Sequence, residues 1–348
     1  MKIIRCTLSL IVMVLGMTTG AVANEKLTVF SGRKEPLIRP VIDLFEKTSN
    51  IKVTLKTGKS GALAHQILQE LPKTTADVFI AKESGSLEFL RMKGGFDSYS
   101  SEATKNIPDS VKASDNTWIG VSGRSRAVIY NKDLVKDEDL PTHLEDLLDV
   151  KYKGKVAAVN SGNESLVAWV SGLRLAIGHA KTKELLQGLK DNDIQLIGKS
   201  HTQVRKSIAR GEFPFGLINH YYYHLQRHDA EVDYRNVGII YLDQDKGGRG
   251  EIVNVSGAGI VKNAPHRGNA EKFINFLASS EAQRLFAEVN FEYPLIAGVK
   301  AHPETLEALG CKEDADALKC IRMMPVVLDE LGGALNDTLD LLDDVDWN

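Results

Sequence analysis

Asn219, His220, Tyr221, Tyr222, Tyr223 and His224 follow directly on an apolar run, Phe213 to Ile218. The run reads as a buried strand, and the aromatics fall where it gives way to a helix. A phenolate is a hard oxygen donor, and hard donors suit highly charged cations. Adjacent tyrosines therefore carry the chemistry of a ferric-ion site. The same residues also suit an aromatic patch packing a helix on a sheet, since aromatics mostly serve burial. Neighbouring side chains of an extended strand point to opposite faces. Tyr221 and Tyr222 can reach one ion only if the chain turns, and a strand-to-helix transition at Asn219 supplies that turn. A bound trivalent cation would displace the phenolic protons, so binding would release protons and weaken in acid.

Three other segments sit at strand ends or helix starts. Ser31-Gly32-Arg33-Lys34-Glu35 combines a small loop, cations and a following helix N-terminus. It reads as an anion site or as an ordinary polar loop. Ser122-Gly123-Arg124-Ser125-Arg126 carries two arginines separated by one residue. One could face a cleft and bind an oxyanion, or both could form surface salt bridges. Ser161-Gly162-Asn163 is either an anion-binding turn or a plain turn in which Asn163 caps a helix. His220 and His224 have the spacing of a zinc pair but lack the glutamate of the metalloprotease motif, and read as helix-surface histidines. No P-loop, paired-cysteine zinc motif or Gly-x-Ser-x-Gly elbow occurs, so a hydrolase has no identifiable nucleophile.

The elements that must position these residues alternate. Strands at Lys26–Phe30, Ile51–Leu55 and Ala76–Ala81 bracket helices at Leu37–Thr48 and Gly61–Leu71, with another helix at Ser86–Lys93. This order predicts a parallel sheet covered by helices, with sites at the carboxyl ends of the strands, here Ser31–Lys34 and Lys82–Gly85. A second unit follows. Strands are expected at Trp118–Val121, Ala127–Tyr130, Lys155–Val159 and Phe213–Ile218, and helices at Leu140–Leu148, Ser165–Ile177, Lys181–Lys190 and Thr202–Arg210. Ile252–Lys262 reads as one or two strands broken at Gly257, and Pro325–Asp344 as a helix.

Residues 1–23 read as an export signal. Lys2 and Arg5 precede a short apolar core, and Ala21-Val22-Ala23 offers a cleavage pattern. The expected destination is the bacterial periplasm. Without Lys2 and Arg5 the 43 basic residues become 41 against 46 acidic ones, a net charge of −5. That balance argues against nucleic acid as a partner. Cys6 lies in the signal, leaving Cys311 and Cys320. An even pair in an oxidising compartment predicts a disulfide, and without Cys-x-x-Cys a redox role has no support.

The chain resembles the periplasmic ferric-ion-binding proteins of bacterial ABC iron importers, of the extracellular solute-binding protein family. The likeness runs through Leu27–Arg33, Ala76–Phe79, Val121–Arg126 with Tyr130-Asn131, Tyr152-Lys153-Gly154, Gly211-Glu212, Ile218–Tyr222, Phe291–Leu295 and Trp347. Asn-x-Tyr-Tyr after a strand is its most specific marker. The resemblance implies an α/β, two-lobed periplasmic binding protein fold: each lobe a central mixed sheet flanked by helices, joined by a hinge with the ligand cleft between. It implies lobes of residues 24–124 with 249–297 and 125–248 with 298–348. It further implies a monomer that captures Fe3+, free or chelated, and passes it to an inner-membrane permease without catalysing a reaction.

The resemblance places Tyr221 and Tyr222 as metal donors. A synergistic anion such as carbonate or phosphate would lie near Asn219, Ser161, Gly162, Asn163, Arg33 and Arg124. Two positions depart from the family pattern. The first loop carries Arg33-Lys34 where many members have a histidine ligand, and Lys82 stands where many have a glutamate. Glu83, one place later, and Tyr223 become further candidate donors. These departures favour an alternative reading, a receptor for an oxyanion or small anionic solute bound by Arg33, Lys34, Lys82 and Arg124.

Overall fold

The computed structural model describes residues 25–226 and 233–348; the expected signal, residues 1–23, lies outside them. Among the described residues the strands are β1 (Lys26–Ser31), β2 (Lys52–Thr57), β3 (Val78–Ala81), β4 (Phe96–Asp97), β5 (Trp118–Arg124), β6 (Arg126–Asn131), β7 (Val156–Ala158), β8 (Gln195–Leu196), β9 (Phe215–Asn219), β10 (Val237–Ile240) and β11 (Asn254–Val261). They form two mixed sheets. The first runs β2-β1-β3-β11-β4, with β5 also paired to β11; the second runs β10-β6-β9-β7-β8.

The first sheet begins as the alternation predicts. β1 pairs parallel with β2 and β3, and the helix Glu35–Ser49 buries Ile38, Val41, Ile42 and Phe45 against it. β3 is apolar throughout because both of its faces are covered. The chain leaves this sheet at Arg124, crosses through Ser125 and enters the second sheet at Arg126. It returns as β11, antiparallel to β3 and β5. Each sheet has its own apolar core, one around Phe30, Phe79 and Trp118, the other around Val170, Leu217 and Trp347.

Three local expectations differ from the structure. Leu140–Leu148 forms only a 3-10 turn, Leu144–Leu148. The Asp146 carboxylate accepts from the Thr142 and His143 amides at 2.8 and 2.9 Å, competing with the start of an α-helix. The C-terminal helix starts at Leu331 rather than near Pro325, and Val327 is extended. Gly257 does not end a strand. β11 runs through it with a register shift between Ser256 and Gly257, an extra residue being absorbed as a bulge.

The helix Leu331–Asp344 packs on Ser84–Met92 beside the first sheet and on Glu164–Ile177 beside the second. Gly332 permits the approach; a Cβ there would come within 2.8 Å of the Glu88 backbone. The chain end is held by Trp347, whose indole N–H donates to the Val159 carbonyl at 3.1 Å. Cys311 and Cys320 are disulfide-bonded, next to a small core of Tyr293, Ala301, Leu306, Ala317 and Ile321.

Gly257 lies where a Cβ would meet the Ile119 carbonyl and the Leu87 side chain, both at 2.7 Å. Gly257→Val should lower unfolding stability by about 1–3 kcal/mol through overpacking, measurable as a reduced urea midpoint.

Candidate metal and anion site

The turn into the tyrosines is clamped by His220. β9 ends at Asn219, His220 takes helical angles (φ −52°, ψ −43°), and a short helix spans Tyr221–Leu225. The Ser125 amide donates to His220 Nδ1 at 3.2 Å, and His220 Nε2–H donates to the Phe291 carbonyl at 2.8 Å. The imidazole stacks on Tyr293 with centroids 4.3 Å apart and planes 2° apart. Burial pushes its pKa down to about 4, partly opposed by the bonds to Phe291 and Ser125. The ring is thus neutral and protonated on Nε2. Phe291 holds a left-handed φ of 58° as the C-cap of Ser280–Asn290, a conformation rare for a bulky residue.

Beyond the clamp, the rings of Tyr221 and Tyr222 lie 4.5 Å apart at 30°. Tyr221 is 6% exposed, while Tyr222 is half-buried. The phenol of Tyr222 is pushed well above its ordinary pKa, first by Tyr221 and then by burial; Arg124 and Arg205 pull the other way. Tyr222 therefore resists losing its proton until a cation or neighbouring positive charge offsets the cost. Tyr223 is partly buried against the second core, its ring 5.1 Å from His224.

Beneath the pair lies Arg126, the register partner of Asn219 across β6 and β9. Its Nη1 donates to His201 Nε2 at 3.1 Å and its Nη2 to the Ser165 carbonyl at 3.0 Å. The guanidinium sits 5.3 Å over Trp169. Burial lowers its pKa to about 10, opposed by Glu251, Tyr221 and Tyr222. Ser165 Oγ donates to Asn163 Oδ1 at 2.7 Å, and Asn219 Nδ2 lies 3.3 Å from the same hydroxyl.

The two anion-site arginines differ in their commitments. Arg33 forks onto both oxygens of Glu292 at 2.7 and 2.6 Å and donates to Ser256 Oγ at 2.8 Å. Arg124 is 4% exposed. Its Nη1 is 3.9 Å from Glu292, and among the described residues its Nε and Nη2 have no partner. Burial would raise the Glu292 pKa, but Arg33, Arg124 and hydrogen bonds outweigh it and hold the carboxyl below its usual range.

Other sequence-derived candidates are engaged away from the tyrosines. The Ser161 amide donates to the Trp347 carbonyl at 2.8 Å, its hydroxyl to Asn348 at 2.7 Å, and the Gly162 amide to Asn160 at 3.1 Å. Asn163 caps Glu164–Ile177. Glu83 caps Ser84–Met92, accepting from the Ser86 amide at 2.8 Å and from its hydroxyl. Burial raises its pKa to about 7, opposed by Ser86 and assisted by the charge of Glu164. Glu83, Ser161 and Gly162 border a largely apolar cavity of about 260 Å³ between the helices Ser84–Met92, Glu164–Ile177 and Leu331–Asp344. Neither Tyr221 nor Tyr222 lines it.

The structure thus gathers Tyr221, Tyr222, Asn219, Arg124 and Arg126 where the two sheets meet. Sequence reasoning overlooked Glu292, His201 and Ser165 as members of the supporting network. Only Glu292 left a local signal: a single acid within the apolar run Phe291–Ile296 has to find a buried cation.

Glu292→Gln removes the counter-charge of Arg33 and should cost about 3–5 kcal/mol in urea unfolding near neutral pH. Because the folded Glu292 pKa is depressed, its contribution exists above the unfolded value and is lost as pH falls. The gap between wild type and variant should therefore shrink from about pH 5 to about pH 3.

A family model for bacterial extracellular solute-binding proteins matches residues 73–313. The chain is 32% identical over 329 residues to iron uptake protein A1 of Synechocystis sp., covering 93% of this chain and 88% of that one. It is 29% identical over 301 residues to the Fe(3+)-binding periplasmic protein of Serratia marcescens, covering 86% of each. Among solved structures, the Trichodesmium protein IdiA (FutA) in complex with iron and citrate superposes with a TM-score of 0.79 at 30% identity, covering 93% of this chain and 100% of that one.

Proposed function

This chain belongs to the bacterial extracellular solute-binding protein family, and on that premise we propose that it is the periplasmic receptor of an ABC importer that captures ferric iron. It is a binding protein rather than an enzyme. In this reading Tyr221 and Tyr222 supply phenolate donors from one lobe, and the loaded protein, a monomer, docks on an inner-membrane permease. The observation that carries the reading is the paired phenols at the end of β9, 4.5 Å ring to ring, with Arg124 and Arg205 placed to favour the anion of Tyr222.

A carbonate or phosphate would complete the ion's coordination. Arg124 is assigned to hold it, because two of its N–H-bearing nitrogens are buried without a partner among the described residues, and such groups are costly unless a ligand pairs them. Asn219 lies beside it in the reading, and Arg33 supports the site through Glu292. The reading gives no donor role to Glu83, tied to Ser86, or to Tyr223, packed in the core. The same arginine favours a second reading, a receptor for an oxyanion alone.

Titration with ferric citrate separates the two. Iron capture should produce a visible tyrosinate-to-iron band, abolished in Tyr221→Phe/Tyr222→Phe without loss of the folded-state circular dichroism. The raised phenol pKa of Tyr222 means each ion should release about two protons on loading near neutral pH. Apparent affinity would then fall ~100-fold per unit drop in pH. A colourless protein that binds phosphate tightly would establish the second reading instead.

A further inference from the structure

We propose that Lys82 and Glu164 form the closure contact of the cleft, sealing the tyrosine site by charge. The inference rests on the ferric-capture reading above and concerns what each lobe contributes to it. Lys82 directly follows β3 of the first sheet; Glu164 opens the helix that follows β7 of the second. Their side chains meet as an ion pair, Lys82 Nζ on Glu164 Oε2.

Both ends of this contact are held in place. The Lys82 amide donates to Ser60 Oγ at 3.3 Å, fixing the strand end. Glu164 occupies the first turn of its helix, where a negative charge is favoured, between Asn163 and Ser165, which connect to Asn219 and Arg126. The pair is 31% and 24% exposed, shielded enough to be weakly screened yet open enough to separate.

Apart from Arg124, which the reading above gives to the anion, the charged groups of the first lobe on this side are engaged or exposed. Arg33 is locked on Glu292, Glu83 is turned onto Ser86, and Lys34 is exposed. Among the described residues none of these carries a carboxylate or imidazole to the tyrosines. Phenolate donors from one lobe leave the ion tied to the other only through an anion on Arg124, so a direct contact between the lobes adds to its retention. Lys82–Glu164 joins the two units at the strand end and helix start that flank the site. The crossing at Ser125 and the C-terminal helix also tie the units, but through backbone and packing that a change of salt leaves alone.

The test uses Lys82→Ala, Glu164→Ala and the exchanged pair Lys82→Glu/Glu164→Lys in the full mature chain. Iron loss to excess citrate is followed by the visible band, and the radius of gyration by small-angle X-ray scattering without iron. Each single change should speed iron loss ~3- to 5-fold, the scale of a partly exposed ion pair, with the band position unmoved. The exchanged pair should return the rate to within about twofold of wild type, and wild type should approach the single variants near 1 M salt. Without iron, the single variants should have a larger radius of gyration than wild type at low salt. Unchanged release rates, or an exchanged pair no slower than the singles, would overturn the proposal. If wild type shows no band, the ferric reading has failed, and scattering alone judges the closure contact: equal radii at low and high salt for all variants would sink it.

Discussion

A neutral imidazole joins three distant stretches of chain at one point. His220 takes a proton-bearing contact from the Ser125 amide and gives one to the Phe291 carbonyl. Ser125 is the residue at which the chain passes from the first sheet to the second, and Phe291 caps a helix of the first lobe. One ring therefore ties the crossing point, the first lobe and the turn that launches Tyr221. Its stacking on Tyr293 fixes the plane of the ring. A charged imidazole could not accept from Ser125, so the arrangement depends on burial keeping the group neutral. The position of the tyrosines follows from this clamp, because they are the next residues along the chain.

Charge around the site is organised in two tiers. Arg33 and Glu292 neutralise each other in full burial, which gives the first sheet a rigid polar anchor where β1, β5 and β11 converge. Arg126 is held by His201, Ser165 and the face of Trp169. Arg124 shares Glu292 only at long range. Arg33, Arg124 and Arg126 face Glu292 and, at longer range, Glu251, and among the described residues Arg124 keeps two nitrogens that paired phenolates or an oxyanion would answer. Desolvation makes such a buried charge expensive to leave uncompensated.

Much of the architecture is visible in the chain without coordinates. The alternation from Lys26 to Ala81 announces parallel pairing, and β1, β2 and β3 pair in that way. The apolar Phe213–Ile218 run and the turn after it are equally plain, since a short buried run ending at a polar residue marks where a strand gives way to the next element. Local competitions are less visible. Asp146 turned an expected helix into a 3-10 turn by capturing two amides. Val121 of β5 is the extra residue opposite Ser256 and Gly257, so β11 continues where a strand end seemed due. Both outcomes hinge on which partner wins a hydrogen bond, and side-chain periodicity carries no information about that.

Residue type and order alone determined the chemistry available here: two adjacent phenols at a strand end, arginines at two loops, and the cysteines Cys311 and Cys320. Folding decided which of these groups remain uncommitted. Arg33 and Arg124 look alike as residues, yet one forks onto Glu292 across 259 positions and the other keeps two nitrogens unpaired among the described residues. Glu83 looks like a donor and became a helix cap. The reason is that pairing energies act through space over a few ångströms, between groups whose separation along the chain is arbitrary, so only the tertiary arrangement could assign each charge its partner.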